Sequence, residues 1–256
     1  MGFLVALRFL TIIPLPGRRQ ISPEEVGRSI VYFPLVGVII GLILVGLNWL
    51  LGLALPSALV NVLLVVSLAA ISGGLHLDGF VDTCDGMVGH KTVEERWQVM
   101  KDSRAGAFGI IGVCCLLLVK YVSLNSVPAG WLMPTLVLMA VVSRWAMVYA
   151  VFAYPYAKPS GLGKVFKQEA SLSGFLVATV IALAITVILA QLPGLAIMFG
   201  ISIIVMAVIV IIVMAVAFYL KGRFGGLTGD TYGAINEIAE VCVLILVCLL
   251  AHIRGG

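Results

Sequence analysis

Three aspartates stand out by their spacing in a short segment that reads G-G-L-H-L-D-G-F-V-D-T-C-D-G, from Gly73 to Gly86. If the segment is helical, Asp78, Asp82 and Asp85 fall at positions i, i+4 and i+7 and share one face. Three like charges so close repel one another unless a cation lies among them. Carboxylate oxygens suit Mg²⁺ or Mn²⁺, which takes further ligands from water and substrate phosphate. We therefore predict a magnesium or manganese site here; the alternative is an ordinary solvated helix end.

One histidine precedes this acidic face. His76 lies two residues before Asp78, so in a helix it points to a different side. It is a candidate general base, although a lone histidine more often only donates a hydrogen bond to a neighbouring carbonyl. Together with Asp82, the middle carboxylate, it is a candidate catalytic residue.

A second polar segment, K-D-S-R-A-G-A-F-G, begins at Lys101. Asp102 or Ser103 is expected to cap the helix that follows. Arg104 carries a planar guanidinium suited to oxyanions, and Gly106 leaves the backbone open to a ligand. The segment is predicted to bind substrate, with Arg104 in a catalytic role, although capping alone would explain Asp102 and Ser103.

A third segment, K-G-R-F-G-G-L-T-G-D-T-Y-G-A-I-N-E-I-A-E, begins at Lys221. Its glycine loop is expected to expose backbone N–H groups near two cations, and it ends in two glutamates one helical turn apart. The lysine that would follow the last glycine in a Walker loop is missing. A further segment, Y-A-K-P-S-G-L-G from Tyr156, is a weak signal that fits an ordinary turn. The predicted substrate-binding residues of the third segment are Gly225, Gly226, Thr228, Gly229, Asp230, Glu237 and Glu240.

Two cations lie inside apolar segments of the chain. Lys120 is close to the predicted outer end of its segment, and we expect its side chain to extend outward to the membrane surface. Arg144 lies deeper and is expected to have an internal acidic or phosphate partner. It is therefore added to the candidate substrate-binding residues.

The elements that position these residues belong to a membrane protein. The chain is 62% hydrophobic and only 11% charged, which excludes a water-soluble single domain. A membrane-spanning helix needs about 20 apolar residues, and seven segments qualify. We predict a single all-α domain over residues 1–256, with an interfacial helix in the first thirteen residues. The predicted spans are 30–54, 57–74, 107–126, 131–153, 172–192, 194–220 and 234–252.

The distribution of Lys and Arg predicts the orientation of this bundle. Thirteen of the 16 Lys and Arg residues fall in the segments on one side of the membrane, and only Arg254 falls on the other. Because cytoplasmic loops are enriched in cations, the N-terminus and the candidate site should face the cytoplasm of a cell inner membrane. The net charge of +4 then reflects this bias and an affinity for anionic lipid, and no nucleic-acid partner is expected.

The carboxylates are also on one side. All 12 Asp and Glu residues lie in the predicted cytoplasmic segments or in the first two turns of the last span. An ion-coupled transporter would be expected to carry an ionisable acid near the middle of the membrane. The pattern therefore favours an enzyme with a cytoplasmic site over a transporter.

In combination, these motifs resemble one family over nearly the whole chain. They comprise F-L-T-I-I-P-L-P, G-R-S with Y-F-P-L-V-G, H-L-D-G-F-V-D-T-C-D-G, D-S-R-A-G-A-F-G, S-R-W, Y-A-K-P-S-G-L-G and G-G-L-T-G-D-T-Y-G-A-I-N-E-I-A-E. In this order they resemble the cobalamin synthases, also called adenosylcobinamide-GDP ribazoletransferases. The resemblance implies a magnesium-dependent membrane enzyme of the last assembly step of cobamide synthesis. Such an enzyme joins adenosylcobinamide-GDP to α-ribazole, or to its 5′-phosphate, and releases GMP.

The residues alone leave a second enzyme class open. CDP-alcohol phosphotransferases also combine an aspartate-rich motif with glycine, but the acids here run D-G-x-x-D-x-x-D-G, without the later aspartate pair expected in that class.

The sequence is compatible with a homo-oligomer and does not specify the number of chains.

Overall fold

The computed structural model describes residues 2–14, 21–89, 91–190 and 196–253, with all their side chains except those of residues 190 and 196–202. In these ranges the chain is helical, with one 3-10 turn at Ser29–Tyr32 and no strand beyond an isolated bridge. The α-helices are α1 (Gly2–Leu10), α2 (Pro23–Arg28), α3 (Phe33–Gly52), α4 (Ser57–Ile71), α5 (Leu75–Met87), α6 (Val93–Val99), α7 (Ala107–Ser126), α8 (Ala129–Ala153), α9 (Leu162–Glu169), α10 (Leu172–Ala190), α11 (Ala196–Phe224) and α12 (Gly229–Ile253).

Six helical stretches in the described ranges are long and apolar enough to cross a membrane. They are the continuous run of α2 and α3, then α7, α8, α10, α11 and α12. Helices α4 and α5 pass the same test only as a pair, and the chain bends by 89° between them. Helix α5 therefore leaves the path of α4 and is not itself a span. The prediction of a multi-pass, all-α bundle with about seven spans is confirmed.

Two differences between the predicted spans and the observed helices bear on the candidate site. The second span was predicted to continue to residue 74, but α4 ends at Ile71 because Gly73 and Gly74 adopt positive φ angles of 62° and 72° and start a new helix. The last span was predicted to begin at residue 234, but α12 already begins at Gly229. Glu237 and Glu240 consequently lie in its third and fourth turns rather than near its start.

Helix α8 is the centre of the bundle. Nearly every residue from Pro134 to Val151 is buried, and the helix packs against α3, α10, α11 and α12. Close approach to α3 depends on small residues: a Cβ atom on Gly37 would lie 2.5 Å from the carbonyl oxygen of Ala140. Small residues allow such backbone contacts between apolar helices, which have little other attraction in lipid.

The short helices gather at one end of the bundle. Helix α9 packs against α2, where Arg28 forms a 2.8 Å ion pair with Glu169, and it also contacts α8 and α12. Helix α1 forms as predicted and packs against α3, with Ala6 and Leu10 buried. Its location at a membrane interface stays a prediction.

Several predicted features lie outside the described residues. They are the turn at Pro193 between the fifth and sixth predicted spans, the cations Arg18 and Arg19, and Arg254 on the opposite side.

Candidate active site

The three aspartates lie on α5, as predicted, and the sharp turn before this helix sets its direction. Glycine tolerates the positive φ angles of this turn at Gly73 and Gly74 because it lacks a Cβ atom. At the other end, the buried Arg96 of α6 donates to the carbonyl oxygens of Gly86 (2.6 Å) and Gly89 (3.0 Å). Helix α5 is thus fixed at both ends, which holds its acidic face in place.

Asp85 caps the N-terminal end of α7. Its two carboxylate oxygens accept hydrogen bonds from the backbone N–H groups of Gly106 (2.7 Å) and Gly109 (2.8 Å), at the start of α7. A Cβ atom on either residue would lie 2.4 Å from a carboxylate oxygen of Asp85, so a larger residue at either position would displace this carboxylate from the cap. The prediction that Asp102 or Ser103 caps this helix was therefore wrong: Gly106 is the N-cap residue, and Asp85 supplies the acceptor.

Asp102 and Arg104 instead form an exposed pair. The Arg104 guanidinium donates to both carboxylate oxygens of Asp102, at 3.0 and 2.8 Å. This contact lowers the pKa of Asp102 to about 2. The Arg104 side chain remains 87% exposed, so it is accessible to a ligand. Its predicted catalytic role, and substrate binding by Asp102, Ser103 and Gly106, stay predictions.

Helices α5 and α12 touch along their backbones. A Cβ atom on Gly79 would lie 2.7 Å from the carbonyl oxygen of Asp230, and one on Gly233 would lie 3.2 Å from the Cα atom of His76. This contact brings Asp230 next to the acidic face of α5. Asp230 in turn accepts a 2.8 Å hydrogen bond from Lys158.

The segment that contains Lys158 is joined to the glycine loop before α12. Ala157 N–H donates to the Leu227 carbonyl, and Leu227 N–H donates to the Pro155 carbonyl, both at 2.8 Å. A Cβ atom on Gly226 would lie 2.9 Å from this Pro155 oxygen. The turn starting at Tyr156, a weak signal in the sequence, is therefore part of the candidate site.

The glycine loop does not offer the free amides that its sequence suggested. In the described chain, the N–H group of Gly226 donates to Lys221, that of Leu227 to Pro155, and that of Thr228 to the Thr231 hydroxyl. Thr228 is fully buried and hydrogen-bonds Asp230. The expectation of a row of exposed N–H groups was wrong, because the loop uses them to join three segments. Gly225 and Gly229 remain exposed, and substrate binding by the loop stays a prediction.

The acidic face is crowded. Partial burial raises the pKa of Asp82 to about 7, and the negative charges of Asp78 and Asp230 add to this shift. In the described residues no three Asp, Glu, His or Cys side chains are arranged to hold a metal ion together. Mg²⁺ commonly uses only one or two protein carboxylates, with water and substrate phosphates as the other ligands. Asp78 and Asp82 fit such a site, and the predicted third ligand, Asp85, faces α7.

Two cavities flank α5, and we name them by their volume. The smaller cavity, about 300 Å³, lies between α5, α8, α9 and α12. The larger cavity, about 710 Å³, lies between α5, α6 and the start of α7. Polar side chains that line the smaller cavity are His76, Asp78, Tyr156, Lys158, Ser160, Asp230 and Tyr232, whereas those that line the larger cavity are Asp82, Asp85, Lys91, Glu95, Gln98, Asp102 and Arg104.

His76 lies in the wall of the smaller cavity and is only 1% exposed. Neither ring nitrogen has a hydrogen-bond partner in the part of the chain that the structure describes. Burial lowers the pKa of His76 to about 3, and the positive charge of Arg144 contributes to the shift. Its role as a catalytic residue stays a prediction.

A buried cluster of four charged side chains lies deeper, between α7, α8 and α12. We call Lys120, Arg144, Glu237 and Glu240 the buried charge cluster. Lys120 donates to both glutamates, and Arg144 donates to Glu240. The expectation that Lys120 extends outward was wrong: it is 3% exposed, because its two acidic partners lie inside the bundle. The internal acidic partner predicted for Arg144 is confirmed.

This cluster also corrects the predicted distribution of acids. Glu240 is eleven residues into α12, about 16 Å along a 25-residue helix. The argument that no acid lies deep inside the membrane was therefore wrong. Because two cations and two carboxylates balance, the cluster still differs from an unpaired transport site. Substrate binding by Arg144, Glu237 and Glu240 stays a prediction, and none of them lines either cavity.

Sequence reasoning missed the aromatic side chains of the site. Phe9, Phe33 and Phe166 lie on three different helices, with ring centroids 4.8 to 5.9 Å apart, and line the smaller cavity. In a chain so rich in apolar residues, no spacing marks them out. Arg96 was missed because its bonds to the Gly86 and Gly89 carbonyl oxygens depend on how α6 packs against the end of α5.

These observations define the class of the protein as an all-helical, multi-pass membrane enzyme with an acidic site at one end of the bundle. The sequence profile of the cobalamin-5-phosphate synthase family matches residues 2–248. The chain belongs to this family and is a transferase of cobalamin biosynthesis.

Curated relatives agree with this assignment, and all three named here are adenosylcobinamide-GDP ribazoletransferases. The protein from a Roseiflexus species is 37% identical over 97% of this chain and 90% of its own length. That of Geotalea daltonii is 37% identical over 96% of this chain and 97% of its own length. That of Syntrophobacter fumaroxidans is 39% identical over 94% of this chain and 96% of its own length. No solved structure matches the chain.

Proposed function

We propose that the protein is an adenosylcobinamide-GDP ribazoletransferase, which joins adenosylcobinamide-GDP to α-ribazole or its 5′-phosphate and releases GMP. The observation that supports this most is the position of the acidic face of α5 between two cavities. Asp78 lines the smaller one and Asp82 the larger one. Two substrates bound on either side of α5 would meet at these carboxylates.

The proposed reaction is a direct displacement at phosphorus. A ribose hydroxyl oxygen of the acceptor attacks the phosphorus that carries the cobinamide. A new P–O bond forms, the P–O bond to GMP breaks, and the hydroxyl proton passes to a carboxylate of the site. Asp82, the middle acid of α5, is the proposed acceptor of this proton. Because the phosphoryl group moves directly, no phosphorylated enzyme intermediate is formed.

Mg²⁺ is the proposed cofactor, held by Asp78 and Asp82, with Asp85 as the third candidate ligand. When bound, it would neutralise charge on the diphosphate. The chain itself supplies the remaining electrostatics: Arg104, accessible at the edge of the larger cavity, would bind the departing GMP phosphate. Lys158, which contacts Asp230, supplies positive charge on the other side of α5.

The test of this function is an assay of the purified protein in lipid vesicles. Adenosylcobinamide-GDP, α-ribazole 5′-phosphate and Mg²⁺ are supplied, and GMP and the cobamide product are measured. We expect equal amounts of both products, and no turnover with EDTA until Mg²⁺ is restored in excess. Absence of cobamide, or full turnover in EDTA, would contradict the function or the cofactor, respectively.

We also propose that the site faces the cytoplasm of the inner membrane. The short cation-rich segments, including α9, support this orientation. A cysteine at the exposed Gln168 of α9, in a chain without the five native cysteines, should react with an impermeant thiol reagent only from the cytoplasmic side. The matched control is Ala54→Cys, in the exposed turn before α4, which should react only from outside. The reverse pattern would overturn the orientation.

A further inference from the structure

The smaller cavity combines an aromatic wall with a polar opening. Three phenylalanine rings from α1, α3 and α9 form one side, and Met147 and Val151 of α8 add apolar surface. At its polar side lie Asp78, Asp230 and Lys158, the groups that border the proposed reaction. A ligand bound here therefore has a flat apolar environment for one part and charged groups for another.

Two polar groups in the cavity wall lack partners. Both ring nitrogens of His76 and the hydroxyl of Tyr232 are buried, and none of them forms a hydrogen bond with a described residue. Most buried polar side-chain atoms in proteins have a partner, because an unpaired one loses its bonds to water without replacement. In any charge state the imidazole has a ring N–H that can donate, and the tyrosine hydroxyl can donate as well. These two groups are therefore the candidate donors for a ligand acceptor in the cavity.

The volume of the smaller cavity distinguishes between the two substrates of the proposed reaction. About 300 Å³ lies at the lower limit of ligand cavities and holds a bicyclic ring. A corrin macrocycle with its amide side chains is several times larger and does not fit. The larger cavity on the other side of α5, about 710 Å³ and more open, is therefore left for the nucleotide part of the donor substrate, with the macrocycle outside it.

The polarity of the cavity wall distinguishes the benzimidazole base of the acceptor from the guanine base of the donor. A benzimidazole joined to ribose at one nitrogen has a single remaining polar atom, the other ring nitrogen, which only accepts a hydrogen bond. Guanine has several donors and acceptors, and the aromatic wall would leave most of them unpaired, which is costly. The smaller cavity thus matches a benzimidazole and disfavours the guanine of the donor.

We propose that the smaller cavity is the acceptor subsite, in which the benzimidazole ring of the ribazole packs against Phe9 and Phe166 and its free ring nitrogen accepts a hydrogen bond from His76 or Tyr232. The proposal rests on the proposed function. The ribose then points to Asp78 and Asp230, where its hydroxyl meets the phosphorus. His76 is in this view a specificity-determining residue for the acceptor base.

The first test compares two matched substitutions, one in each cavity. Val151→Phe fills the smaller cavity and should raise the KM for ribazole at least tenfold, with the KM for adenosylcobinamide-GDP changed less than twofold. Val99→Phe adds the same side chain at the larger cavity and should leave the KM for ribazole unchanged. A rise in the donor KM alone with Val151→Phe, or no change in either KM, would overturn the subsite.

The second test changes the ligand. An indole ribonucleoside, in which C–H replaces the free ring nitrogen, should bind the wild-type protein about tenfold more weakly than ribazole. His76→Phe should weaken ribazole binding and so reduce the difference in affinity between the two nucleosides. His76→Gln, which keeps a hydrogen-bond donor, should restore part of this difference in affinity. Equal affinity of both nucleosides for the wild type would overturn the hydrogen bond.

Equilibrium dialysis of labelled ribazole against the protein in vesicles separates this proposal from the function. If the wild-type protein makes no cobamide, the proposed function fails, and binding still reports on the cavity. If it makes cobamide but Val151→Phe binds ribazole normally, only the subsite is wrong.

Discussion

Two groups of acids in this protein have opposite surroundings. Glu237 and Glu240 on α12 are buried and contact Lys120 and Arg144, so their charges balance inside the bundle. On α5, Asp78 is exposed and Asp82 is only partly buried, and in the described chain no Lys or Arg forms an ion pair with either. Asp230, with its Lys158 partner, even adds a carboxylate beside Asp82.

We interpret the α12 acids as a structural group and the α5 acids as the functional group of the proposed reaction. Charges buried without partners are very costly, so the α12 glutamates could only be placed together with their cations. The α5 aspartates lie close to one another at a cavity edge, where their mutual repulsion would favour the proposed binding of a cation. Substitutions in the two groups should therefore affect different quantities.

The largest effect is expected on turnover from the α5 acids. Asp82→Asn should lower kcat at least a thousandfold, about 4 kcal/mol in the barrier, since the amide carries no charge to bind a metal ion or accept a proton. The free energy of unfolding should stay the same or rise, since a repulsion is removed. The control Glu94→Gln changes an exposed acid of α6 and should retain turnover. If Asp82→Asn kept turnover within a few-fold of the parent, the proposed functional role of the α5 acids would be wrong.

The next effect is on stability, from the buried charge cluster. Glu240→Ala leaves Lys120 and Arg144 with one carboxylate between them and should lower the free energy of unfolding by about 3 to 5 kcal/mol. Removing a balanced pair instead, with Lys120→Met and Glu237→Gln together, should cost clearly less. Unfolding in mixed micelles by a denaturing detergent measures both. If Glu240→Ala costs less than about 1 kcal/mol, the cluster does not hold these helices together.

Asp85 falls between the two groups, because it is both a cap and a candidate ligand. Asp85→Ala removes the acceptor for two N–H groups of α7 and should lower the free energy of unfolding by about 1 to 2 kcal/mol. Asp85→Asn keeps one acceptor oxygen and should unfold more nearly like the parent. If it also keeps full turnover, Asp85 is a cap only; a large loss of turnover would make it a ligand as well.

The smallest effect is expected at the exposed pair of Asp102 and Arg104. Arg104→Ala should raise the KM for adenosylcobinamide-GDP about fivefold, because a charge-assisted contact to phosphate is lost. Stability in the mixed micelles should not change, since the side chain is 87% exposed. An unchanged KM would remove Arg104 from the proposed site.

The sequence predicted the bundle well because apolar runs of about 20 residues report directly on membrane spans. It also located the α5 motif, whose spacing is local. It did not predict that Asp85 caps a helix 21 residues away, or that Lys120 meets acids 117 and 120 residues away, because such contacts depend on how helices pack. The Lys120 contact could have been predicted in part, because the sequence already showed a cation within one apolar segment and two acids within another.

The glycine loop shows a different limit. Its sequence fits exposed N–H groups, but hydrogen bonding to Pro155 and Thr231 uses them inside the protein. Spacing identifies which groups a loop offers, and only the surrounding structure shows whether they are already occupied. The aromatic wall was hidden for the opposite reason, since phenylalanine is unremarkable in an apolar chain.

The glycine turn after α4 has a consequence for the lipid around the protein. With 15 residues, α4 rises only about 22 Å, whereas the hydrocarbon layer of a bilayer is about 30 Å thick. Since α5 turns away by 89°, nothing extends this helix to full length. The bilayer must thin beside α4, or neighbouring helices must shield its end from lipid tails. A change in the thickness of the host membrane would therefore act on α4 and, through the glycine turn, on α5, which carries the aspartates.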